Sequence, residues 1–249
     1  VRTQRRVPEP TIPLHLFTMR NFKIASVASL VIGVVMFGSS AYLPTFLQVA
    51  SQASASNSGL LMVPLMFSFF ASSTVAGQFV SRTGRYRFLP ITGMALLATG
   101  MFLFSTMDTD TPRLLSSAYM VVVGLGLGTS MQILVLAVQN ESPIRDLGVA
   151  TSTINFFRTV GGAVGVALFG ALFRSRLADQ LGDDSAVSMT PEEIRELPVA
   201  EQNVLAEAFS VSITPVFLSV VPVLIAGFAL TLLLRELPLR TSSPQARRN

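Results

Sequence analysis

Charged residues are scarce in this chain of 249 residues: they make up 13% of it, against about 25% in an ordinary soluble domain. Hydrophobic residues account for 50% of the sequence, and the mean hydropathy is +0.58. So few charges, separated by long uncharged runs, cannot cover a surface that faces water. The composition therefore predicts an integral membrane protein with the lipid bilayer as its main partner.

Cysteine is absent, and histidine occurs once, as His15. The absence of cysteine excludes a disulfide framework, thiolate chemistry and a cysteine-ligated metal, and a single histidine argues against a histidine-based metal or catalytic site. The phosphate-binding pattern G-x4-G-K-[ST] is also missing, which excludes ATP-driven transport by this chain itself. We therefore expect no enzymatic site, no metal and no cofactor.

The formal net charge is +4 and the sequence pI is about 10.3. A basic balance of this kind can indicate a nucleic-acid partner when the charges form one patch. Here the basic residues lie between apolar runs instead. Their placement is typical of membrane topology, and we expect no nucleic-acid binding.

Six stretches are apolar enough to cross about 30 Å of hydrocarbon, which takes roughly 20 helical residues. They predict an all-α, polytopic bundle over residues 22–236, with a cytoplasmic segment at 1–21 and a cytoplasmic tail at 237–249. Short polar turns between the first five stretches predict that sequential helices pack as antiparallel neighbours. The predicted spans are 24–47, 60–80, 88–107, 114–138, 147–173 and 209–234.

Most of the basic residues flank these spans on one side, which the positive-inside rule assigns to the cytoplasm. Both termini are then cytoplasmic, and we expect the chain in a bacterial cytoplasmic membrane. The acidic segment 175–208 is predicted to be an external loop, either a cap over the external mouth or a solvated spacer. Within it, Thr190-Pro191-Glu192-Glu193 is a capping box that predicts a short surface helix.

The second span ends in a basic motif, G-x4-R-x-G-R-Y-R, that begins at Gly77. Gly77 would let a neighbouring helix come close, and Gly84 would permit a tight turn. The guanidinium groups of Arg82, Arg85 and Arg87 can bind carboxylates or the C-termini of neighbouring helices. On charge alone, the simpler interpretation is positive-inside anchoring.

The order of this motif resembles the signature that the major facilitator superfamily carries between the second and third helices of each half. Other segments resemble, in order and spacing, the last six helices of its fourteen-span drug:proton antiporters, and the resemblance covers residues 14–235. These segments are Leu47-Gln48, Ser58 to Pro64, Ser81 to Tyr86, Gly124 to Gly128, Gln139-Asn140, Asp146 to Ser152 and Phe156 to Gly162.

The resemblance implies that the chain is the C-terminal bundle of a proton-coupled multidrug exporter. It further implies alternating access, with Arg82, Gly84 and Arg85 locking one state at the inner face. The substrates would be small amphipathic molecules, cationic or lipophilic. The chain departs from the family at Ala53, where glycine is usual, and at Ile133, near which proline often occurs.

Arg158 is the one ionised side chain inside a predicted span, and placing it there costs about 2.5–3.5 kcal/mol on insertion scales. Thr151, Asn155 and Arg158 recur at helical spacing and give that helix one polar face. Two interpretations stay open. Arg158 lines or gates a central cavity, or it pairs structurally with carbonyl groups, Glu141 or Asp146.

Gln132 lies near the middle of the fourth span, where an amide needs a partner or a water-filled cavity. A substrate cavity is the favoured interpretation, and an interhelical hydrogen bond is the alternative. Phe156 and Phe157 are further candidates for an adaptable apolar cavity. For most of the aromatics, packing in the core or against lipid is the favoured interpretation.

Two groups of glycines predict close contact between helices, because small residues let backbones approach inside lipid. We expect packing within the bundle, while Gly161-x3-Gly165 could instead mark the seam of a dimer. The glycines are Gly124, Gly126 and Gly128 in the fourth span, and Gly161, Gly162 and Gly165 in the fifth.

No aspartate or glutamate lies inside any predicted span, so nothing there can carry a proton across the membrane. We therefore expect protons to be coupled through an N-terminal half that this sequence lacks. The first residue, Val1, is not methionine, which also suggests a fragment. The alternative is a self-contained six-span half-transporter or channel that dimerises to form its pathway.

Overall fold

The computed structural model describes residues 14–50, 59–181, 193–194 and 197–239. Within these ranges it is all-α, with six long helices and no strand, which confirms the predicted fold class. The helices are α1 (Arg20–Ala50), α2 (Val63–Thr83), α3 (Phe88–Phe104), α4 (Arg113–Glu141), α5 (Leu147–Leu181) and α6 (Val199–Thr231). Two short 3-10 segments, Leu14–Thr18 and Ile144–Asp146, precede α1 and α5.

Proline and glycine set several of the helix ends. Pro112 and Pro198 directly precede α4 and α6 in an extended conformation, and proline at such a boundary gives up no intrahelical hydrogen bond. Gly84 ends α2 with φ +71°, and its N–H donates to the carbonyl of Val80 at 2.8 Å. The left-handed conformation of Gly84 ends α2 and turns the chain toward α3.

Five helical stretches are long and apolar enough to span a membrane, while α3 is shorter. With 17 residues, α3 is about 25 Å long, slightly less than the hydrocarbon thickness. The chain is thus a multi-pass membrane protein, and most of its helices are longer than the spans predicted for them.

The packing order differs from the one predicted from the short turns. The closest pairs are α1 with α5 and α2 with α4, and α3 packs against α4 and α6. In the described residues α1 and α2 have no extensive interface, nor do α2 and α3, so the prediction of sequential neighbours is wrong for both pairs. Approach inside lipid follows the placement of small residues, and most of these face non-sequential helices.

Helices extend into both ends of the segment 175–208, which is predicted to be external. α5 continues through Leu181 and α6 begins at Val199, so both flanks of that segment are helical. Leu177 and Leu205 are buried while the charged residues around them are exposed, which is an amphipathic helical pattern. The hydropathy of this stretch is low because one side of each helix is polar. Residues 190–192 of the predicted capping box lie outside the described residues, as do residues 1–13, 51–58 and 240–249.

Candidate functional site

Arg158 bridges α5 to the backbone of α4. Its Nη1 donates to Oδ1 of Asn155 at 3.1 Å, and its Nη2 donates to the carbonyl of Met131 at 3.4 Å. Its Nε is buried and has no hydrogen-bond partner among the described residues. Arg158 lies about 16 Å along α5 from Leu147, at 1.5 Å per residue, which places it well inside the span.

The two carboxylates considered as partners of Arg158 are engaged elsewhere. Asp146 is buried, and its Oδ2 lies 3.0 Å from Nε2 of His15. Glu141 accepts a hydrogen bond from the backbone N–H of Asn21 at 2.9 Å. The predicted pairing of Arg158 with either carboxylate is therefore wrong, while the contact with a carbonyl group is present.

The other cavity candidates lie around Arg158 on the exposed side of α4 and α5. Gln132 directly follows Met131 and is exposed, as is Asn155. Phe156 is 57% exposed, whereas Phe157 is half-buried and packs edge-to-face on Phe17 with ring centroids 6.5 Å apart. The structure thus brings an arginine next to the exposed amide of Asn155 and next to Met131, the neighbour of Gln132 in the chain.

The glycines of α5 lie directly against α1. A methyl group on Gly161 would collide with the carbonyl of Leu30, and one on Gly165 would meet the backbone of Val34. Gly162 lies against the ring of Phe37 in the same way. These surfaces are filled within the chain, so in this structure they are not free to form a dimer seam.

The glycines of α4 serve two different neighbours. Gly124 and Gly128 face α2, where a methyl group on either would collide with the hydroxyl of Ser68 or Ser72. Gly126 faces α3, and a methyl group there would lie 2.8 Å from the carbonyl oxygen of Gly93. Gly126 lies two residues from both Gly124 and Gly128, so it faces a different side of the helix. α4 can therefore pack tightly against both α2 and α3.

The basic motif between α2 and α3 is only partly engaged. Arg87 donates from Nη2 to the carbonyl of Leu232 at the end of α6, at 2.8 Å. Arg82 and the guanidinium of Arg85 are exposed and have no partner among the described residues. Gly77 has open space around it, so the expected close helix contact at that position is missing from the described part of the chain.

Tyr86, whose role the sequence does not reveal, is the centre of a hydrogen-bonded network beside this motif. It is fully buried, its backbone N–H donates to Oε1 of Glu236 at 3.1 Å, and its hydroxyl contacts the segment after α6. Asn21 on α1 exchanges two hydrogen bonds of 2.9 Å with the backbone of Arg235. We call residues 232–239 the tail strap, because side chains of α1, of α4 and of the α2–α3 loop all hold it.

Comparison with known proteins settles the family. The sequence profile described as Major Facilitator Superfamily matches residues 1–166. The chain belongs to the major facilitator superfamily. An MFS-type transporter of Mycobacterium tuberculosis, described as uncharacterised, is 44% identical over 241 residues, which cover 94% of this chain and 35% of that protein. The resemblance found in the sequence is thereby confirmed.

Other superfamily members are named for drug transport. The multidrug transporter protein MdtP of Bacillus subtilis is 37% identical over 180 residues, covering 72% of this chain and 33% of its own length. A tetracycline resistance determinant of Streptomyces rimosus is 29% identical over 277 residues, covering 98% of this chain and 80% of its own length. The chain spans about a third of the length of the mycobacterial and Bacillus relatives.

The fold agrees with that of a solved superfamily transporter. A bacterial homologue of the human lysosomal transporter Spinster, in an inward-facing and occupied conformation, superposes with a TM-score of 0.71 at 13% identity. The superposition covers 92% of this chain and 52% of that one. At this identity the similarity shows the fold alone.

Proposed function

We propose that this chain is the C-terminal bundle of a proton-coupled secondary transporter that exports amphipathic small molecules by alternating access. The observation that carries the proposal is the polar face formed by Gln132, Asn155 and Arg158. This face lies well inside the membrane spans of helices that are otherwise mostly apolar. Polar groups at this depth are expensive in lipid, so such a face belongs against a water-filled pathway or a second bundle.

The neighbouring helix α2 carries exposed apolar surface. Phe67 and Phe70 on α2 are 73% and 65% exposed, and α2 packs directly against α4. An amphipathic substrate needs broad apolar contact together with a few polar groups that fix its orientation. The exposed faces of α2, α4 and α5 supply both kinds of contact.

Alternating access requires a bundle that moves as one body. Glycines let α1 pack closely against α5 and α2 against α4, and hydrogen bonds to the tail strap hold one end of the bundle together. At that same end, Arg82 and Arg85 extend exposed guanidinium groups that have no partner in the part of the chain that the structure describes. We infer that these groups bind acidic residues or helix ends of a partner bundle in one state and release them in the other.

Proton coupling is assigned to an N-terminal half outside this sequence, since the predicted spans hold no aspartate or glutamate. Both termini of the bundle would lie in the cytoplasm of a bacterial cell, because the basic residues concentrate at the end that carries the α2–α3 loop. The protein would need no cofactor and would catalyse no chemical reaction.

Transport by the full-length protein in inside-out membrane vesicles tests this function. An acid-inside pH gradient should drive accumulation of a fluorescent amphipathic dye, and a protonophore should abolish it. Arg82→Gln together with Arg85→Gln should slow accumulation at unchanged protein abundance, while Arg176→Gln, a charge removed from the far end of α5, should not. Dye flux that runs equally well without a gradient would instead favour a channel, including the dimeric six-span alternative.

A further inference from the structure

The polar face of α4 and α5 carries a positive charge that this bundle does not neutralise. Arg158 is the only ionised side chain in the six predicted spans. In the described residues its partners are a neutral amide and a neutral carbonyl, and no carboxylate lies within ion-pair distance of it. A guanidinium at membrane depth pairs with an opposite charge, with backbone carbonyls or with water in a cavity, and the described part of this bundle supplies Arg158 with no anion.

The surroundings of Arg158 offer mostly hydrogen-bond donors. A guanidinium has five N–H donors, and here one contact from each Nη is used while Nε is left unpaired. Asn155 spends its oxygen on Arg158, which leaves its NH2 group as a donor. The exposed amide of Gln132 lies on the next residue after Met131. Such a donor-rich fork matches the two oxygens of a carboxylate.

We propose that Arg158, Asn155 and Gln132 form a subsite that binds the carboxylate of an amphipathic, anionic substrate. This inference rests on the proposed function and names the substrate class of the same site. The sequence favours cationic or lipophilic substrates through its resemblance, whereas the charge at this subsite repels a cation.

A matched pair of probes tests the subsite in the full-length transporter. The probes are an amphipathic fluorescent carboxylic acid and its uncharged methyl ester, which share one scaffold and differ in one charge. Gradient-driven accumulation of each is measured in inside-out vesicles for the wild type, Arg158→Gln, Arg158→Lys and Arg176→Gln. Accumulation is normalised to the amount of transporter in the membrane, and passive entry is subtracted with protein-free vesicles.

The wild type should transport the acid. Arg158→Gln should lower transport of the acid by about tenfold, the usual size of one charge-assisted contact, and leave transport of the ester within about twofold. Arg158→Lys should keep part of the preference, because lysine retains the charge but loses the fork. Arg176→Gln should change neither probe.

Several outcomes would overturn the inference. An equal loss of acid and ester transport in Arg158→Gln would mean that Arg158 pairs with a carboxylate of the partner bundle or supports the structure. Should that variant fail to reach the membrane, Asn155→Ala and Gln132→Leu serve instead, and each must lower the ratio of acid to ester transport. A wild type that exports the ester but not the acid disproves the subsite and leaves the proposed function intact. Export of neither probe under any gradient disproves both.

Discussion

The phenol oxygen of Tyr86 lies 3.3 Å from the carbonyl oxygen of Arg235, and it also accepts the N–H of Leu237 at 3.0 Å. One buried hydroxyl therefore satisfies two backbone groups of the tail strap. A buried backbone group that loses its partner costs free energy comparable to the lost hydrogen bond. The strap thus depends on a side chain from a loop about 150 residues earlier in the chain.

Tyr86→Phe should lower the free energy of unfolding by about 1–3 kcal/mol, because the N–H of Leu237 is left unpaired. Thermal unfolding in detergent measures this. Tyr42→Phe is the matched control, since that hydroxyl is half-buried and makes a weak contact of 3.4 Å with the carbonyl of Val166. An equal shift in both variants would contradict a special role for Tyr86.

Glu236→Ala should speed cleavage by trypsin at Arg85 about tenfold, because the loop loses the acceptor for the N–H of Tyr86 and opens more often. Peptide mapping of the detergent-purified protein measures the rate. Glu236→Gln keeps an acceptor oxygen and should change cleavage much less. If the two substitutions act alike, the charge of Glu236 rather than its hydrogen bond holds the loop.

Gly161→Ala should destabilise the protein by about 1–3 kcal/mol, because the added methyl group would collide with the carbonyl of Leu30 and force α5 away from α1. Gly148→Ala makes the same change on the same helix in open space. That control should be neutral or gain up to about 1 kcal/mol from the lower flexibility of the unfolded chain. Chemical or thermal unfolding in detergent compares the two, and matching losses would refute the packing argument.

Gly84→Val should cost about 1–2 kcal/mol, because a β-branched residue is strained at φ +71°. Nothing lies within 4 Å of a methyl group at this position, so the strain comes from the backbone alone. Gly84→Asn should be tolerated better, since asparagine adopts left-handed conformations more readily. Equal melting temperatures for the two variants would contradict this explanation.

The existence of the helices could be predicted because hydrocarbon imposes a length of apolar sequence that is hard to produce otherwise. The ends of α5 and α6 were missed because their outer turns are amphipathic. Leu177 and Leu205 are buried there among charged neighbours, and average hydropathy hides such a pattern.

The choice of packing partners could not be predicted in the same way. Inside lipid most helix faces are apolar, so the pattern of apolar residues does not say which face meets which helix. The glycines mark where a close approach occurs, but Gly161 does not reveal that its partner is Leu30. The short turns misled the prediction of packing partners. A short connection keeps two helices close at one end only, and their other ends can separate.

Arg158 stands out because a charge inside a span is conspicuous in the sequence, and its role in a cavity or gate stays a prediction. A contact with a carbonyl group was one of the two interpretations of Arg158, but the sequence does not reveal that this carbonyl belongs to Met131, because every residue carries one. The same reason hides the tail strap, where Asn21 and Tyr86 bind main-chain groups that every sequence contains. Side chains that recognise backbone leave no mark on the partner residue.

The contact between α1 and α5 also has a consequence for how the protein is made. About 130 residues separate Gly33 from Gly161, which takes roughly 6 to 26 seconds to synthesise at the usual rate of translation. During that time α1 is complete, while α5, which packs against α1 at Gly33, has not left the ribosome. Lipid or the insertion machinery must shield this surface of α1 in the interval. A bulkier residue at Gly33 would therefore do least harm before α5 is inserted. It would do most harm when α5 packs against α1.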